Sequence, residues 1–457
     1  MTDLAYDLVS YAAGIKYDDL PRDVVDVTKR FILDTLATTI AGSSASGVRT
    51  ITDQIIDWGG REESSILIFG GKVPSPEAAL VNSMMAHALD FDDTHDEAIL
   101  HANVSVLPAA LAVAEQKGNV SGQELITAVA VGIDVMCRLG LGAVGPLIWI
   151  LSSTLGYFAA TITAGKILGL DKDKLHHAVG IAYSQSAGNL QCAMDGALVK
   201  RMQPAFAARG GVLSSVMAQR GITGTRNIFE GSHGFFPVYQ RGKYDRERIL
   251  KDLGKVFEGK NLSAKRYPTG RYTHAIIDAT INIVRENDIS PDNVEEVVAH
   301  VTQPAHDILG KPFQIRESPQ ADAQFSIPYA VSVAIVKRDV FIDDILEQNV
   351  KKNTRVLELT RKVRIIVDQE PIAKGLVPCA VDIRTKDNKV YSQRVESIKG
   401  DPSNPLSMEE FADKFRKCAR FSAWPMSSES IEKVVTAVQN LETIPDIRAV
   451  ISMLTPT

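Results

Sequence analysis

The sequence predicts a mostly α-helical protein with an inserted α+β region. At 457 residues the chain exceeds what one hydrophobic core usually serves, so two domains are expected. Apolar residues recur at helical spacing up to about residue 255, whereas β-branched runs appear after about residue 260. We therefore expect a large all-α domain built from residues 1–262 and 400–457, with a smaller α+β lid domain over residues 263–399.

Capping residues and prolines indicate where the helices of the first half begin and end. Ser121 and Glu124 form a capping box at the start of one helix. Ser75 followed by Pro76 predicts the start of another helix, which we expect to run to Leu89. Pro108 and the alanine-rich segment after it predict a further helix, which ends at residues 117–118.

The inserted region combines strand and helix patterns. β-branched runs bounded by turn residues predict strands at 294–301, 363–367 and 381–384, and a hairpin turn at 385–389 leads into a fourth strand at 390–395. Helical patterns lie between them at 273–285 and 327–336, and helices return after Gly400 at 407–418 and 428–441. The junction between the two domains should form a cleft, which is a common ligand site.

Composition excludes several classes of protein. A net charge of -5 provides no basic surface for nucleic acid. The cysteines at 137, 192, 379 and 418 show no metal-binding spacing, so we expect reduced thiols in a cytoplasmic protein. The N-terminus has no signal-peptide pattern. The apolar stretch 143–164 is interrupted by Pro146 and Gly156, so we interpret it as core rather than as a membrane span.

Histidines and aspartates are concentrated in residues 86–103. This segment holds three of the nine histidines of the chain, and imidazole beside carboxylate is suited to acid–base chemistry near neutral pH. Metal ligation by Asp92, Asp93, His95 and His101 is an alternative, but no recognised zinc spacing is present, and carboxylate-rich turns often only cap helices. The pattern favours a metal-free catalytic or substrate-binding loop.

Two cationic segments are candidates for carboxylate binding. Lys200 and Arg201 could clamp carboxylates, or could simply be a solvated helix start. The segment from Lys265 to His274, at the expected domain junction, holds three cations, two tyrosines and a histidine, although a polar linker is the alternative. Together with the acid–base loop, these clusters predict a cofactor-free enzyme that acts on a small polycarboxylate.

These segments resemble the MmgE/PrpD family, which includes 2-methylcitrate dehydratases, cis-aconitate decarboxylases and iminodisuccinate epimerase. The resemblance covers nearly the whole chain, from the helix that contains residues 30–36 to the helix after Pro402. The motifs that carry it are Asp90-Phe91-Asp92-Asp93-Thr94, His101 ahead of Val106-Leu107-Pro108, Lys200-Arg201, Tyr267-Pro268 with His274, and Phe325-Ser326-Ile327-Pro328-Tyr329.

The resemblance implies a large helical domain, a smaller α+β lid domain, a homodimer, a site between the domains and no cofactor. It also implies which residues line the active site, namely Asp90, Thr94, His101, Lys200 and Tyr329. Two positions depart from the pattern. Many members of the family have a histidine at the positions of Ile150 and Gln203.

The two missing imidazoles favour an epimerase, because epimerisation needs no acid to protonate a leaving group. In this hypothesis Lys200, Tyr329, His101 and Asp90 are the catalytic residues, and Lys200 and Tyr329 exchange the proton alpha to a carboxylate, as in iminodisuccinate epimerase. The expected substrate-binding residues are Thr94, Arg201, Lys265, Arg271 and His274.

Two alternatives remain open. The first is a dehydratase or decarboxylase acting on 2-methylcitrate-like or cis-aconitate-like acids, in which His95 or His274 replaces the missing acid. The second is a non-catalytic binding protein that kept the fold, since fold alone does not establish activity. No metal, cofactor, nucleic acid or membrane is expected in any of these cases.

Overall fold

The computed structural model describes residues 2–368 and 379–456 and is mostly helical, as the sequence predicts. The helices that precede the inserted region are α1 (Ala5–Gly14), α2 (Arg22–Gly42), α3 (Val48–Trp58), α4 (Ser75–His87), α5 (Asn103–Lys117), α6 (Gly122–Gly142), α7 (Leu151–Thr154), α8 (Gly156–Leu168), α9 (Lys172–Tyr183), α10 (Gln191–Met194), α11 (Gln203–Gln219), α12 (Phe235–Tyr239) and α13 (Arg246–Leu250). The inserted region holds α14 (His274–Glu286), α15 (Gln303–Leu309), α16 (Pro319–Gln324), α17 (Ile327–Lys337), α18 (Ile342–Ile345), α19 (Glu347–Lys352) and α20 (Thr354–Thr360). The chain ends with α21 (Met408–Ala419), α22 (Ser428–Gln439) and α23 (Arg448–Met453).

Small residues let the central helices of the first region pack closely. Helix α8 contacts α5, α6, α9 and α11, and its residues are almost all buried. Gly211 of α11 lies so near α8 that a Cβ atom there would be 2.5 Å from the Cβ of Ala160. A larger side chain at this position would force the two helices apart.

Helix α5 begins at Asn103, and Pro108 lies inside it. A proline inside a helix leaves the carbonyl four residues before it without its usual N–H donor. Here that carbonyl belongs to Val104, and the Ser83 hydroxyl of α4 donates to it at 2.5 Å. The neighbouring helix thus supplies the hydrogen bond that Pro108 cannot make.

Among the described residues, one helix, α6, is long and apolar enough to cross a membrane by length and composition. Of its most apolar stretch, 94% is buried inside the protein, which is typical of a core helix. The capping box predicted at Ser121 and Glu124 starts this helix. Of the apolar stretch 143–164 interpreted as core from the sequence, residues 151–164 lie in α7 and α8 and are buried, whereas Val144, Leu147 and Ile148 are exposed, so the core interpretation is wrong for residues 143–150.

The inserted region contains a four-stranded mixed sheet. Its strands are β3 (Val294–Val301), β4 (Val363–Val367), β5 (Cys379–Thr385) and β6 (Val390–Val395), in the order β4-β3-β5-β6. Strand β3 pairs parallel with β4 and antiparallel with β5, and β5 pairs antiparallel with β6 through the predicted hairpin. A two-stranded antiparallel ladder, β1 (Ser64–Ser65) with β2 (Lys72–Val73), lies in the region predicted to be all-helical. The prediction that this region contains only helices is therefore wrong.

Helix α17 links two hydrophobic cores. Its residues Ile327, Val331 and Ile335 pack into the smaller core, which the sheet forms with α14. Tyr329 and Val333 pack into the larger core, to which the helices from both ends of the chain contribute. A helix that is apolar on all sides needs this kind of burial. The predicted domain boundaries at 262 and 400 stay predictions.

Helix α21 packs against α2 and so fixes the last part of the chain to the first helices. The rings of Phe31 and Phe411 lie 5.5 Å apart. Between the same two helices, Lys414 Nζ of α21 lies 2.7 Å from Asp34 Oδ1 of α2. The Lys414 ammonium also donates hydrogen bonds to the backbone carbonyls of Phe91 and Lys265, at 2.8 and 2.9 Å. Burial raises the pKa of Asp34, and Lys414 opposes that increase. Lys414 therefore joins four separate segments of the chain.

We predict that Lys414→Ala destabilises the fold by about 3–5 kcal/mol, because it leaves the Asp34 carboxylate buried without a partner. Urea denaturation measures this change. Lys417→Ala, one turn away at an exposed position, should change the free energy of unfolding by less than about 0.5 kcal/mol. The double substitution Asp34→Leu with Lys414→Met should lower the free energy of unfolding by less than Lys414→Ala alone, because it leaves no unpaired buried charge. An equal or larger decrease would contradict the ion-pair explanation.

Candidate active site

The loop between α4 and α5 carries the aspartate-rich motif. Asp90 has a φ of 52°, in the left-handed region that aspartate tolerates better than most residues. The Asp93 carboxylate accepts hydrogen bonds from the backbone N–H groups of Ala102 and Asn103, at 3.1 and 3.3 Å, and so occupies the start of α5. Burial, together with neighbouring Asp92, raises the pKa of Asp93. The loop is thus fixed at the helix that follows it.

The buried Asp90 carboxylate binds two lysines. Lys200 Nζ lies 2.5 Å from Oδ1, and Lys265 Nζ lies 2.7 Å from Oδ2 and 2.8 Å from the Asp90 carbonyl oxygen. Lys200 comes from a 3-10 turn, Leu198–Met202, that precedes α11. Burial alone would raise the pKa of Asp90, but Lys200 and Lys265 outweigh that effect and hold it well below the usual range. Asp90 is therefore ionised.

The Asp92 carboxylate binds two imidazoles. His87 Nδ1 lies 3.1 Å from both of its oxygens, and His101 Nδ1 lies 2.9 Å from Oδ2. The two rings meet edge to face with centroids 4.9 Å apart. Burial raises the pKa of Asp92, but His87 and His101 together hold it well below its ordinary value. Asp92 is thus an ionised acceptor between two histidines.

His87 connects Asp92 to Lys200. Burial lowers the pKa of His87 to about 4, against the opposing effect of Asp92, so the ring is neutral at pH 7. With Nδ1–H donating to Asp92, the other nitrogen, Nε2, is an acceptor 3.2 Å from Lys200 Nζ. These partners assign the tautomer. A continuous hydrogen-bonded chain therefore runs from Asp92 through His87 and Lys200 to Asp90.

An open cavity lies beside this chain. Three segments form its walls: the end of α4, residues 192–201, and residues 318–325 of the inserted region. Its polar and charged lining consists of His87, Asp90, Cys192, Lys200, Arg201, Ser318 and Gln324. The ring centroid of Phe325 is 5.2 Å from Lys200 Nζ, a distance that favours a cation–π contact.

Five of the nine sequence-predicted residues come together here. Asp90, Lys200 and Arg201 line the cavity. His101 and Lys265 lie behind the lining and contact Asp92 and Asp90. Arg201 is buried, donates to the Ser46 carbonyl at 3.0 Å, and has a pKa that burial lowers to about 10, so it stays cationic at neutral pH.

The other four lie outside the described lining of the cavity. The Thr94 backbone pairs with that of Ser263, with N···O distances of 3.0 and 2.7 Å. Arg271 forms ion pairs with Asp96, at 3.0 Å, and with Asp401. The roles predicted for Thr94 and Arg271 in substrate binding stay predictions.

His274 and Tyr329 are also engaged by the protein itself. His274 is fully buried 3.5 Å from an Arg271 nitrogen, and burial lowers its pKa well below the ordinary value. The Tyr329 hydroxyl donates to the Asp344 carbonyl at 2.7 Å, and burial raises its pKa. Tyr329 is thus poorly placed to exchange a proton in this conformation, and its predicted catalytic role also stays a prediction.

Sequence reasoning assigned no role to His87 and treated Asp92 only as a possible metal ligand. A signal was available, because His87 stands at the end of a predicted helix, three residues before Asp90, in the segment with the most histidines. His87, Asp92 and His101 each offer a ligand atom within 4.8 Å of the others, so this group could hold a metal ion. The same three groups also satisfy one another by hydrogen bonding.

Of the two positions that depart from the family pattern, Gln203 contacts a residue that lines the cavity and Ile150 is not part of the described lining. Gln203 is buried and accepts a hydrogen bond from Asn189 N at 2.7 Å, and its amide nitrogen lies 2.6 Å from Cys192 Sγ. Gln203 therefore supports a wall of the cavity. Ile150 precedes α7 and lies outside the described lining.

Comparisons with known proteins find similarity along nearly the whole chain. Residues 6–247 match the MmgE/PrpD N-terminal domain, and residues 267–440 match the MmgE/PrpD C-terminal domain. The chain is 27% identical to the cis-aconitate decarboxylase-like protein oryM of Aspergillus oryzae, over 98% of this chain and 96% of that protein. It is 26% identical to cis-aconitate decarboxylase of Aspergillus terreus, over 98% and 95%. It is 25% identical to cis-aconitate decarboxylase of Homo sapiens, over 96% and 92%. The chain belongs to the MmgE/PrpD family.

Proposed function

We propose that this protein is a lyase that removes CO2 from cis-aconitate or a closely related unsaturated tricarboxylate. The observation that carries the proposal is the hydrogen-bonded chain Asp92–His87–Lys200 at the wall of the cavity, which presents a proton donor to a bound ligand. The similarity to proteins named cis-aconitate decarboxylase, over almost the full length, supports the same reaction. A homodimer, which the family resemblance implies, and the cytoplasmic location expected from the cysteine pattern remain parts of the proposal.

Decarboxylation of such an acid requires one proton. As the bond to the leaving carboxylate breaks, its electron pair forms a new carbon–carbon double bond, and the pair of the former double bond moves to the far carbon. That carbon takes a proton, which we assign to the Lys200 ammonium. Lys200, whose side chain is partly exposed, regains its proton from solvent, while the neutral His87 ring, which Asp92 orients, accepts a hydrogen bond from Lys200 and holds it in place. Each turnover thus releases one CO2 and consumes one proton.

The cations of the cavity suit the carboxylates that remain on the substrate. Arg201 uses one nitrogen on the Ser46 carbonyl, and its other N–H groups are available to a carboxylate. Lys200 adds a second positive charge. Asp90 fixes Lys200 in place through an ion pair of 2.5 Å.

The epimerase hypothesis has less support. It depended on the absence of imidazoles at positions 150 and 203, but His87 places another imidazole in the cavity. Epimerisation by Lys200 would also require a neutral amine, whereas Lys200 is ion-paired with Asp90. Deuterium exchange on iminodisuccinate is therefore the competing outcome of the assay below.

We expect NMR in D2O to show that the purified protein converts cis-aconitate into a product with one carboxyl carbon fewer and one new carbon-bound deuterium. 2-Methylcitrate and iminodisuccinate should stay unchanged under the same conditions. Loss of water from 2-methylcitrate would instead identify a dehydratase. Exchange on iminodisuccinate without a new olefinic signal would identify an epimerase. Binding of cis-aconitate without turnover would identify a binding protein, and each of these three results would overturn the proposal.

We predict that Lys200→Met lowers kcat for CO2 release by roughly 10²–10⁴-fold, the range typical of a lost general acid. His87→Gln should lower it by on the order of 10²-fold, because Lys200 loses the ring acceptor that positions it. Matched controls at exposed positions, Lys172→Met and His233→Gln, should keep the wild-type rate. Full activity in Lys200→Met would remove the central assignment.

The protonation state of His87 has its own test. Because burial lowers its pKa to about 4, the ring should stay neutral from pH 8 down to about pH 5, where an exposed histidine is already protonated. Nitrogen-15 NMR of labelled histidines measures this titration, with His87→Gln providing the assignment. Asp92→Asn should lower the His87 pKa further, since it removes the charge that favours imidazolium. A His87 pKa near 6.5 would contradict the proposed neutral ring.

A further inference from the structure

A second cavity lies where the chain passes between the two regions. It is formed by α2, by residues 260–264 leading into the inserted region, by residues 400–406 leading out of it, and by α21. It is larger than the cavity of the candidate active site. Both passages of the chain between the two regions form part of its wall.

The lining of this cavity is apolar except for one group of charges on and near α2. The apolar surface comes mainly from Val27, Phe31, Leu262, Leu406 and Phe411. Among the charged residues, Asp23 is paired with Lys260, and Asp26 lies 3.8 Å from Lys29.

Arg30 differs from its charged neighbours. In the described part of the chain, no carboxylate lies within ion-pair distance of its half-buried guanidinium. A guanidinium beside an apolar wall is a site for an anion, and the apolar wall accommodates a hydrocarbon body. Asp23 and Asp26 also line the cavity, but Lys260 and Lys29 lie within ion-pair distance of them, so the charge left for a ligand is that of Arg30, which an anion neutralises.

We propose that this cavity binds a small amphiphilic carboxylate, such as a medium-chain fatty acid, with the carboxylate on Arg30 and the aliphatic body against Phe31, Leu406 and Phe411. This site goes beyond the proposed lyase function, and it involves none of the residues that line the candidate active site.

The wall of the cavity is connected to the catalytic loop. Ala264 N donates to the Gly400 carbonyl at 2.9 Å, which joins the two passages of the chain. The neighbours of Ala264 contact the loop directly: Ser263 pairs with Thr94, and Lys265 binds Asp90. An occupant that displaces Ala264 therefore changes the position of the loop that holds Asp90, so ligand binding should alter the dynamics of that loop.

Isothermal titration calorimetry with octanoate tests the site without reference to catalysis. Wild-type protein should bind octanoate saturably, and 1-octanol, which has the same chain without the charge, should bind at least tenfold more weakly. Arg30→Gln should weaken octanoate binding about tenfold, whereas Arg22→Gln, an exposed position on the same helix, should leave it unchanged. Absent binding, or equal affinity in the two variants, would overturn the proposal.

A second variant and a second readout keep the test independent of the stability of Arg30→Gln. Val27→Phe narrows the cavity and retains Arg30, so it should also weaken octanoate binding severalfold. Hydrogen exchange followed by mass spectrometry should show that saturating octanoate changes the protection of peptides covering residues 89–101. Unchanged affinity in Val27→Phe would overturn the site, and unchanged exchange in that segment would overturn its coupling to the catalytic loop.

Discussion

The buried Asp90 carboxylate determines how the other parts of the candidate site must be arranged. A charge in this position is tolerated only when cations compensate it, and two lysines from distant segments, Lys200 and Lys265, do so at 2.5 and 2.7 Å. One precedes α11, and the other follows the passage into the inserted region. Because both must reach the same carboxylate, the helical region and the inserted region cannot be positioned independently. Of the two lysines, Lys200 is the one that lines the cavity.

Local patterns were sufficient to predict most secondary structure. The strands at 294–301, 363–367 and 390–395 are confirmed, because turn residues bound each β-branched run. The capping box at Ser121 is also confirmed, because both of its residues, Ser121 and Glu124, lie within one turn of the chain. The hydrogen bond that accommodates Pro108 inside α5 could not be predicted locally, because the Ser83 hydroxyl that makes it lies on α4. Contacts between segments decided the cases in which local reasoning failed.

The same limit explains what the sequence could predict about the site. Asp90, His101 and Lys200 stood out because charged or titratable residues in short segments are visible in a single sequence. The function of His87 depends on two partners, Asp92 in its own loop and Lys200 from the turn before α11, and the second is not visible locally. The proximity of Arg271 to Asp96 and Asp401 is equally invisible, since these residues are far apart in the chain. A cationic segment therefore predicts charge but not whether the protein has already neutralised it.

Three contacts made by one loop show how closely the inserted region is joined to the catalytic residues. Asp90 binds Lys265, Thr94 pairs with Ser263, and Asp96 binds Arg271. The loop and the segment after Leu262 therefore run beside each other over the length of the aspartate motif. Arg271 extends this connection to Asp401, on the passage that leaves the inserted region. Any movement of that region that preserves these contacts must carry Asp90 with it, and because Asp90 holds Lys200, the proposed proton donor moves as well.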